Sequence, residues 1–277
     1  MDSPGPIMTL AALVGMIADG ASVVSPCDGN GVPMAAVRAL VGRGARDLFL
    51  IGGPTAGLNA DLLIGAGCAA GIETAAVSLG EYGPAPRFRH AVESGALTPR
   101  DSTCPAIHAG LQAAEKGNPF MPLRGLIGSD LMAARDDWKV IDNPYADDRD
   151  PIVLVPAIRP DVALFHAAMA DRFGNVWIGL RREVMTMARA ARLALATVET
   201  IVDHDLLQDP ALAPGTLPAL YVGGIAHCPG GARPLAFADH YPADGDHIRD
   251  YARAARSEAG FRAYLVREGM VAAAAAE

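Results

Sequence analysis

The chain has 277 residues, enough to bury a large core, and 51% of them are hydrophobic. Its net charge of −8 and aromatic content of 5% argue against a surface for phosphate backbones or stacked bases, so no nucleic-acid partner is expected. Its four cysteines, Cys27, Cys68, Cys104 and Cys228, show neither CxxC nor zinc spacing. They read as free thiols of a reducing compartment, with no metal.

The apolar stretch 7–17 is too short to span a bilayer and has no basic region before it. It reads as a helix, and the expected location is the cytoplasm, without a membrane partner. A short strand follows at 21–25, then a loop rich in glycine and asparagine at 27–33 and a helix over 33–41 that opens with proline. The run DLFLI at 47–51 reads as a second strand, DLLI at 61–64 as the entry to a third unit, and GIETAAVSL at 71–79 as another strand. A helix is expected over 105–116, and an exposed acidic excursion over 130–151. Strands follow at 152–155, 162–168 and 193–198, with a helix over 182–190 between the last two. Residues 223–232 read as a glycine-rich loop, 246–268 as one long helix or two, and 272–276 as a frayed tail. Apolar strands alternating with alanine-rich helices predict an α/β fold, an open, mainly parallel sheet flanked by helices. Neither a repeat nor a clean linker divides 1–277, which is read as one domain.

Three local patterns bear on chemistry. GAGCAAG at 65–71, following DLLI at 61–64 read as a strand, resembles a dinucleotide fingerprint. The acidic residue needed about 20 positions on is not in place, so close helix packing is the favoured reading. The loop Asp28, Gly29, Asn30 directly follows the first strand, where ligands of open α/β sheets gather, and an ordinary turn is the alternative. Cys104 and His108 stand four residues apart at a helix start, where a thiolate is favoured, although a packed thiol and a surface histidine are the commoner outcome. The remaining histidines, His166 among them, read as structural or surface residues.

Longer segments carry a family resemblance. They are PMAAVR at 33–38, DLLIGAGC at 61–68, SLGEYG at 78–83, APRFR at 85–89, GNPFMP at 117–122 and GSDL at 128–131. VPAIRPDVA at 155–163 follows, with His166, Asp171 and GN at 174–175, then TVETIV at 197–202 and PGGA at 229–232. In this order they resemble α subunits of family I CoA-transferases of the glutaconate CoA-transferase type. The resemblance implies a Rossmann-like CoA-transferase fold and a β-subunit partner. It also implies acyl-CoA and carboxylate substrates, and coenzyme A as substrate with no resident cofactor. It puts the attacking glutamate on the partner, so no catalytic residue is expected in this chain. Carried over by position, Asp28, Gly29, Asn30, Ser78, Glu81, Cys104, Arg124 and Ser129 are the expected substrate-binding residues, and Glu199 is expected to be structural. Two departures stand out. PCDGNGV at 26–32 lacks the basic residue many relatives carry there, which implies a less anionic acyl group. Cys104 stands near where some ring-opening hydrolases of the family carry a glutamate. A component of a related acyl-CoA or cyclic β-diketone hydrolase, and a non-catalytic ligand-binding homologue, are the alternatives.

Overall fold

Apolar runs of four to six residues, too short for helices and rich in Val, Ile and Leu, line up as strands wherever both faces can be covered. The computed structural model describes residues 6–27, 29, 31–237 and 240–272. The first half of the chain carries β1 (Ile7–Met8), α1 (Leu10–Gly15), β2 (Ser22–Pro26), α2 (Met34–Arg43), β3 (Leu48–Gly53), α3 (Leu58–Gly65), β4 (Ala69–Thr74), α4 (Pro86–Glu93), β5 (Thr98–Asp101) and α5 (Cys104–Glu115). Next come β6 (Phe120–Leu123), α6 (Leu131–Ala134), β7 (Lys139–Asp142), β8 (Pro151–Pro156), β9 (Val162–Asp171) and β10 (Val176–Trp177). The chain continues with α7 (Arg182–Ala190), β11 (Leu193–Val202), β12 (Thr216–Leu217), β13 (Val222–His227), α8 (Gly245–Ala254) and α9 (Glu258–Arg267).

The main sheet runs in the order β1-β13-β11-β9-β2-β3-β4-β5, with every neighbouring pair parallel. The short strands β10 and β12 extend it antiparallel. From β2 the chain first winds outward through β3, β4 and β5, and later fills the other side with β9, β11 and β13. The direction of winding therefore reverses between β2 and β9. In open α/β sheets the crevice at the carboxyl ends of two such strands is where ligands sit. One face of the sheet packs Leu48, Leu50, Leu164 and Leu195 under α2, α3 and the C-terminal pair α8–α9. The other face packs Ile51, Ala163, Phe165 and Ala196 under α5 and α7.

Four expectations are corrected. DLLI at 61–64 lies inside α3, which is buried nearly all round, and a short apolar run carries no periodicity to tell helix from strand. β4 stops at Thr74, so 75–79 is not strand. The glycines at 223–224 belong to β13, where an added Cβ would meet Leu193 Cδ1 at 2.1 Å or Leu195 Cδ2 at 3.1 Å. They serve close packing of strands. The segment around 130–151, read as an excursion, contributes β7 to an antiparallel sheet β6-β8-β7. The strand at 152–155 belongs to that sheet rather than to the main one.

Candidate functional site

β2 pairs with β9 only at Val23 with Val162 and at Val24 with Ala163, after which the two strands part. The loop after β2 fills the gap. Gly31 closes it in the left-handed region (φ 86°), and its carbonyl accepts the His166 N–H at 2.7 Å. A Cβ on Gly31 would lie 2.3 Å from both the His166 carbonyl oxygen and the Arg181 guanidinium, so only glycine brings the loop this close to β9. Gly29, at φ 83°, stands at the outer turn. Asp28 and Asn30, two of the expected binding residues, lie outside the described residues.

A pocket of ≈ 280 Å³ lies at these carboxyl ends. Four strand-to-helix connections contribute to it. Gly29 comes from the connection after β2, Leu58 from the start of α3, Leu79 to Tyr82 from the turn after β4, and Leu235, Ala236 and Ala243 from the connection after β13, with Ile248 of α8 as the floor. Its walls are apolar. Among the described residues, Glu81 is the charged side chain that lines it, and it is exposed at the rim. The Glu81 carboxylate pushes the neighbouring Tyr82 phenol up by accepting its hydrogen bond. Ser78 stands beside the pocket: its hydroxyl accepts the Gly80 N–H at 3.1 Å and fixes the turn that presents Leu79 and Glu81.

Behind the pocket lies a partly buried polar hub. The Glu199 carboxylate accepts the Tyr241 hydroxyl at 2.6 Å, the Gly230 N–H at 2.7 Å and the His166 Nε2–H at 2.7 Å. His166 is completely buried, and Thr197 Oγ1 lies 2.8 Å from its Nδ1. Burial holds the imidazole below its usual range against the pull of Glu199. The neutral ring therefore donates from Nε2 and accepts the Thr197 hydroxyl at Nδ1. Burial works to raise the Glu199 carboxyl, but the donors Tyr241, Gly230 and His166 together hold it below the carboxylate range. Tyr241 in turn accepts the Ala232 N–H at 3.0 Å, and the Gly231 carbonyl accepts the Ala35 N–H at 2.8 Å. Glu199 thus pins the connection after β13, one wall of the pocket, to β11. Through His166 the same carboxylate reaches the loop after β2. The sequence alone presents His166 and Glu199 as separate structural residues. The available signal was polar side chains interrupting otherwise apolar strands, at 166 in β9 and at 197 and 199, two residues apart on one face of β11.

Cys104, Arg124 and Ser129 are not brought to this pocket. Cys104 is the exposed first residue of α5, whose N-cap is Thr103, not the cysteine. Arg124 pairs with Asp150 at the small sheet, and the Ser129 hydroxyl donates to the Leu126 carbonyl at 2.7 Å. Of the expected residues, the structure gathers Gly29 and Glu81 in one pocket and places Ser78 at its edge.

Known proteins share both the sequence and the architecture. The chain is 34% identical over 241 residues to the A-type component of the 3-oxoadipate CoA-transferase of Pseudomonas knackmussii, covering 84% of this chain and 82% of the relative. The crystal structure of glutaconate coenzyme A-transferase from Acidaminococcus fermentans superposes with a TM-score of 0.86 at 26% identity, over 95% of this chain and 88% of that one. The crystal structure of a variant of the decarboxylase AibA/AibB superposes with a TM-score of 0.80 at 30% identity, over 96% of this chain and all of that one. The Coenzyme A transferase family profile matches residues 7–219, and the chain belongs to that family.

Proposed function

We propose that this chain is the α subunit of a two-subunit CoA-transferase that moves CoA between an acyl-CoA and a carboxylate, with the attacking glutamate on the partner. The observation that carries this reading is the chemical character of the carboxyl-end crevice. It offers an apolar pocket, and the half-buried carboxylate behind it, Glu199, is already held by three donors. A carboxylate whose lone pairs are so engaged, with its basicity lowered, is a poor nucleophile. The nucleophile is then supplied from outside the chain, in keeping with a relative that is itself one component of a multi-chain CoA-transferase.

In the proposed cycle the partner's carboxylate attacks the thioester carbonyl and expels CoA thiolate, leaving a mixed anhydride. The thiolate attacks the enzyme's own acyl carbon, releasing the first carboxylate and forming an enzyme–CoA thioester. The incoming carboxylate reverses both steps. Each step passes an activated acyl group from one nucleophile to the next, so the atoms balance without an oxidant. This chain's share is to hold the acyl group: the pinned walls after β2 and β13 keep the pocket preformed. The described helices include none long and apolar enough to cross a membrane, and the proposed setting is the cytoplasm.

The test is intact-mass analysis of this chain co-expressed with a CoA-transferase β subunit from the same genome, after incubation with a panel of acyl-CoAs and then borohydride. Reductive marking of a partner glutamate that depends on acyl-CoA supports the transferase. Loss of thioester without marking points to a hydrolase or decarboxylase instead. Failure to form a complex points to a ligand-binding homologue.

A further inference from the structure

We infer that the carboxyl-end pocket selects acyl chains that end in a neutral, apolar group, and that Glu81 at its rim is the residue that turns away a second carboxylate. The inference rests on the proposed transferase role and adds the substrate class to it. Its walls are Leu58, Leu79, Leu235 and Ile248, each nearly or fully buried, closed by Ala236 and Ala243. Among the described residues no lysine or arginine lines it. A cation near its rim, Arg249, stands outside the lining, exposed and paired with Asp246 on the surface, within reach of the Glu81 charge. Its Nη2 donates to Asp246 at 2.7 Å, and its guanidinium lies 5.7 Å from the centre of the Tyr82 ring. A carboxylate entering the pocket would give up its water without gaining an ion pair. It would also meet the Glu81 carboxylate as a like charge at the rim of the pocket. A methyl-terminated chain loses nothing on entry and covers the leucines. A chain ending in an ammonium group would find Glu81 but would have to pass or rest against the same apolar walls.

The three possibilities separate with matched six-carbon acids. The complex of this chain with its partner is assayed with acetyl-CoA as donor and hexanoate, adipate or 6-aminohexanoate as acceptor. In parallel, calorimetry measures binding of hexanoyl-CoA and adipoyl-CoA to the same complex. Hexanoate is expected to exceed adipate in kcat/KM by about 100-fold, the scale set by an unpaired charge in an apolar site. Glu81→Gln is expected to narrow that ratio several-fold, and Glu81→Arg to narrow it by at least about tenfold. Circular dichroism checks that both variants fold. Adipate or 6-aminohexanoate used as well as hexanoate overturns the inference, as does a ratio that Glu81→Arg leaves unchanged. The binding arm separates it from the function. Tighter binding of hexanoyl-CoA with no transfer to any acid sinks the transferase and leaves the pocket's selectivity standing. Equal binding of the two thioesters sinks the selectivity.

Discussion

A second cleft, ≈ 230 Å³, lies on the opposite face of the sheet, between β3, β4 and β5 and the segment leaving β8. It is as rich in charge as the carboxyl-end pocket is poor. Arg135 and Glu73, with side chains only 5% and 6% exposed, meet at 2.9 Å. Arg135 also donates to Asp137 at 2.8 Å and 3.0 Å and to the Asp101 carbonyl at 2.8 Å, while its guanidinium rests 4.3 Å from the centre of the Trp138 ring. Arg100 closes the chain on Asp137 at 2.6 Å. Burial would lower the Arg135 pKa, yet Asp137 and Glu73 raise it overall. Charge in this cleft satisfies charge and fastens the small antiparallel sheet to the edge of the main one. In the carboxyl-end pocket, among the described residues, the charged lining side chain is Glu81, exposed at the rim. The contrast teaches that a cleft rich in titratable residues can be a joint, while the emptier one is shaped for a guest.

The sharpest way to break this comparison is at the joint. Arg135→Met leaves the buried Glu73 with only the longer Arg100 contact at 3.7 Å and is expected to cost about 3 kcal/mol in urea unfolding, most of it recovered by adding Glu73→Leu. A loss under about 1 kcal/mol would show that the joint lies elsewhere. At the pocket, Glu199→Ala strips acceptors from Tyr241, Gly230 and His166 and is expected to cost about 2–3 kcal/mol. Weaker acyl-CoA binding should accompany that loss, because one pocket wall is released.

A pH series sharpens the comparison further. Burial pushes the Asp61 carboxyl up to about 6, against hydrogen bonds from the Phe88 N–H and the Tyr251 hydroxyl that hold it down. A raised carboxyl favours the fold when protonated. Its stabilising contribution is complete below the ordinary value near 3.8 and is lost as pH rises through about 6. The unfolding free energy of the chain should therefore fall by about 1 kcal/mol more between pH 5 and pH 7 than that of Asp61→Asn. Equal slopes would place the titration elsewhere. The smallest effect belongs to the rim: Glu81→Gln should leave stability within about 0.5 kcal/mol, since the side chain is exposed.

How much of this was legible follows from the range of each signal. The strands at 47–51, 162–168 and 193–198 declare themselves by composition, and so does the parallel class of the sheet, because both need only neighbours in sequence. The helix over 61–64 and the strand at 223–227 were misread, since burial on all sides removes amphipathic periodicity and glycine in a crowded strand resembles glycine in a turn. Gly29 was placed by its position after the first strand and by the family resemblance, Glu81 by the resemblance alone, and the fold brings them together. The ion-paired joint was invisible: Glu73, Arg100 and Arg135 come from three separate segments, and only the tertiary structure unites them. His166 and Glu199 meet across 33 positions.

The way Glu199 holds the connection after β13 has an evolutionary consequence. Its grip falls on the Gly230 amide and on the hydroxyl of Tyr241, which itself receives the Ala232 amide. The intervening side chains that line the pocket, Leu235 and Ala236, lie on a span whose backbone is held by hydrogen bonds while the side chains themselves make only apolar contacts. Such a segment can exchange its inward residues while its ends stay registered on the strand. Descendants of this scaffold can diversify in what they accept by drift within a clamped span, without rebuilding the sheet beneath it.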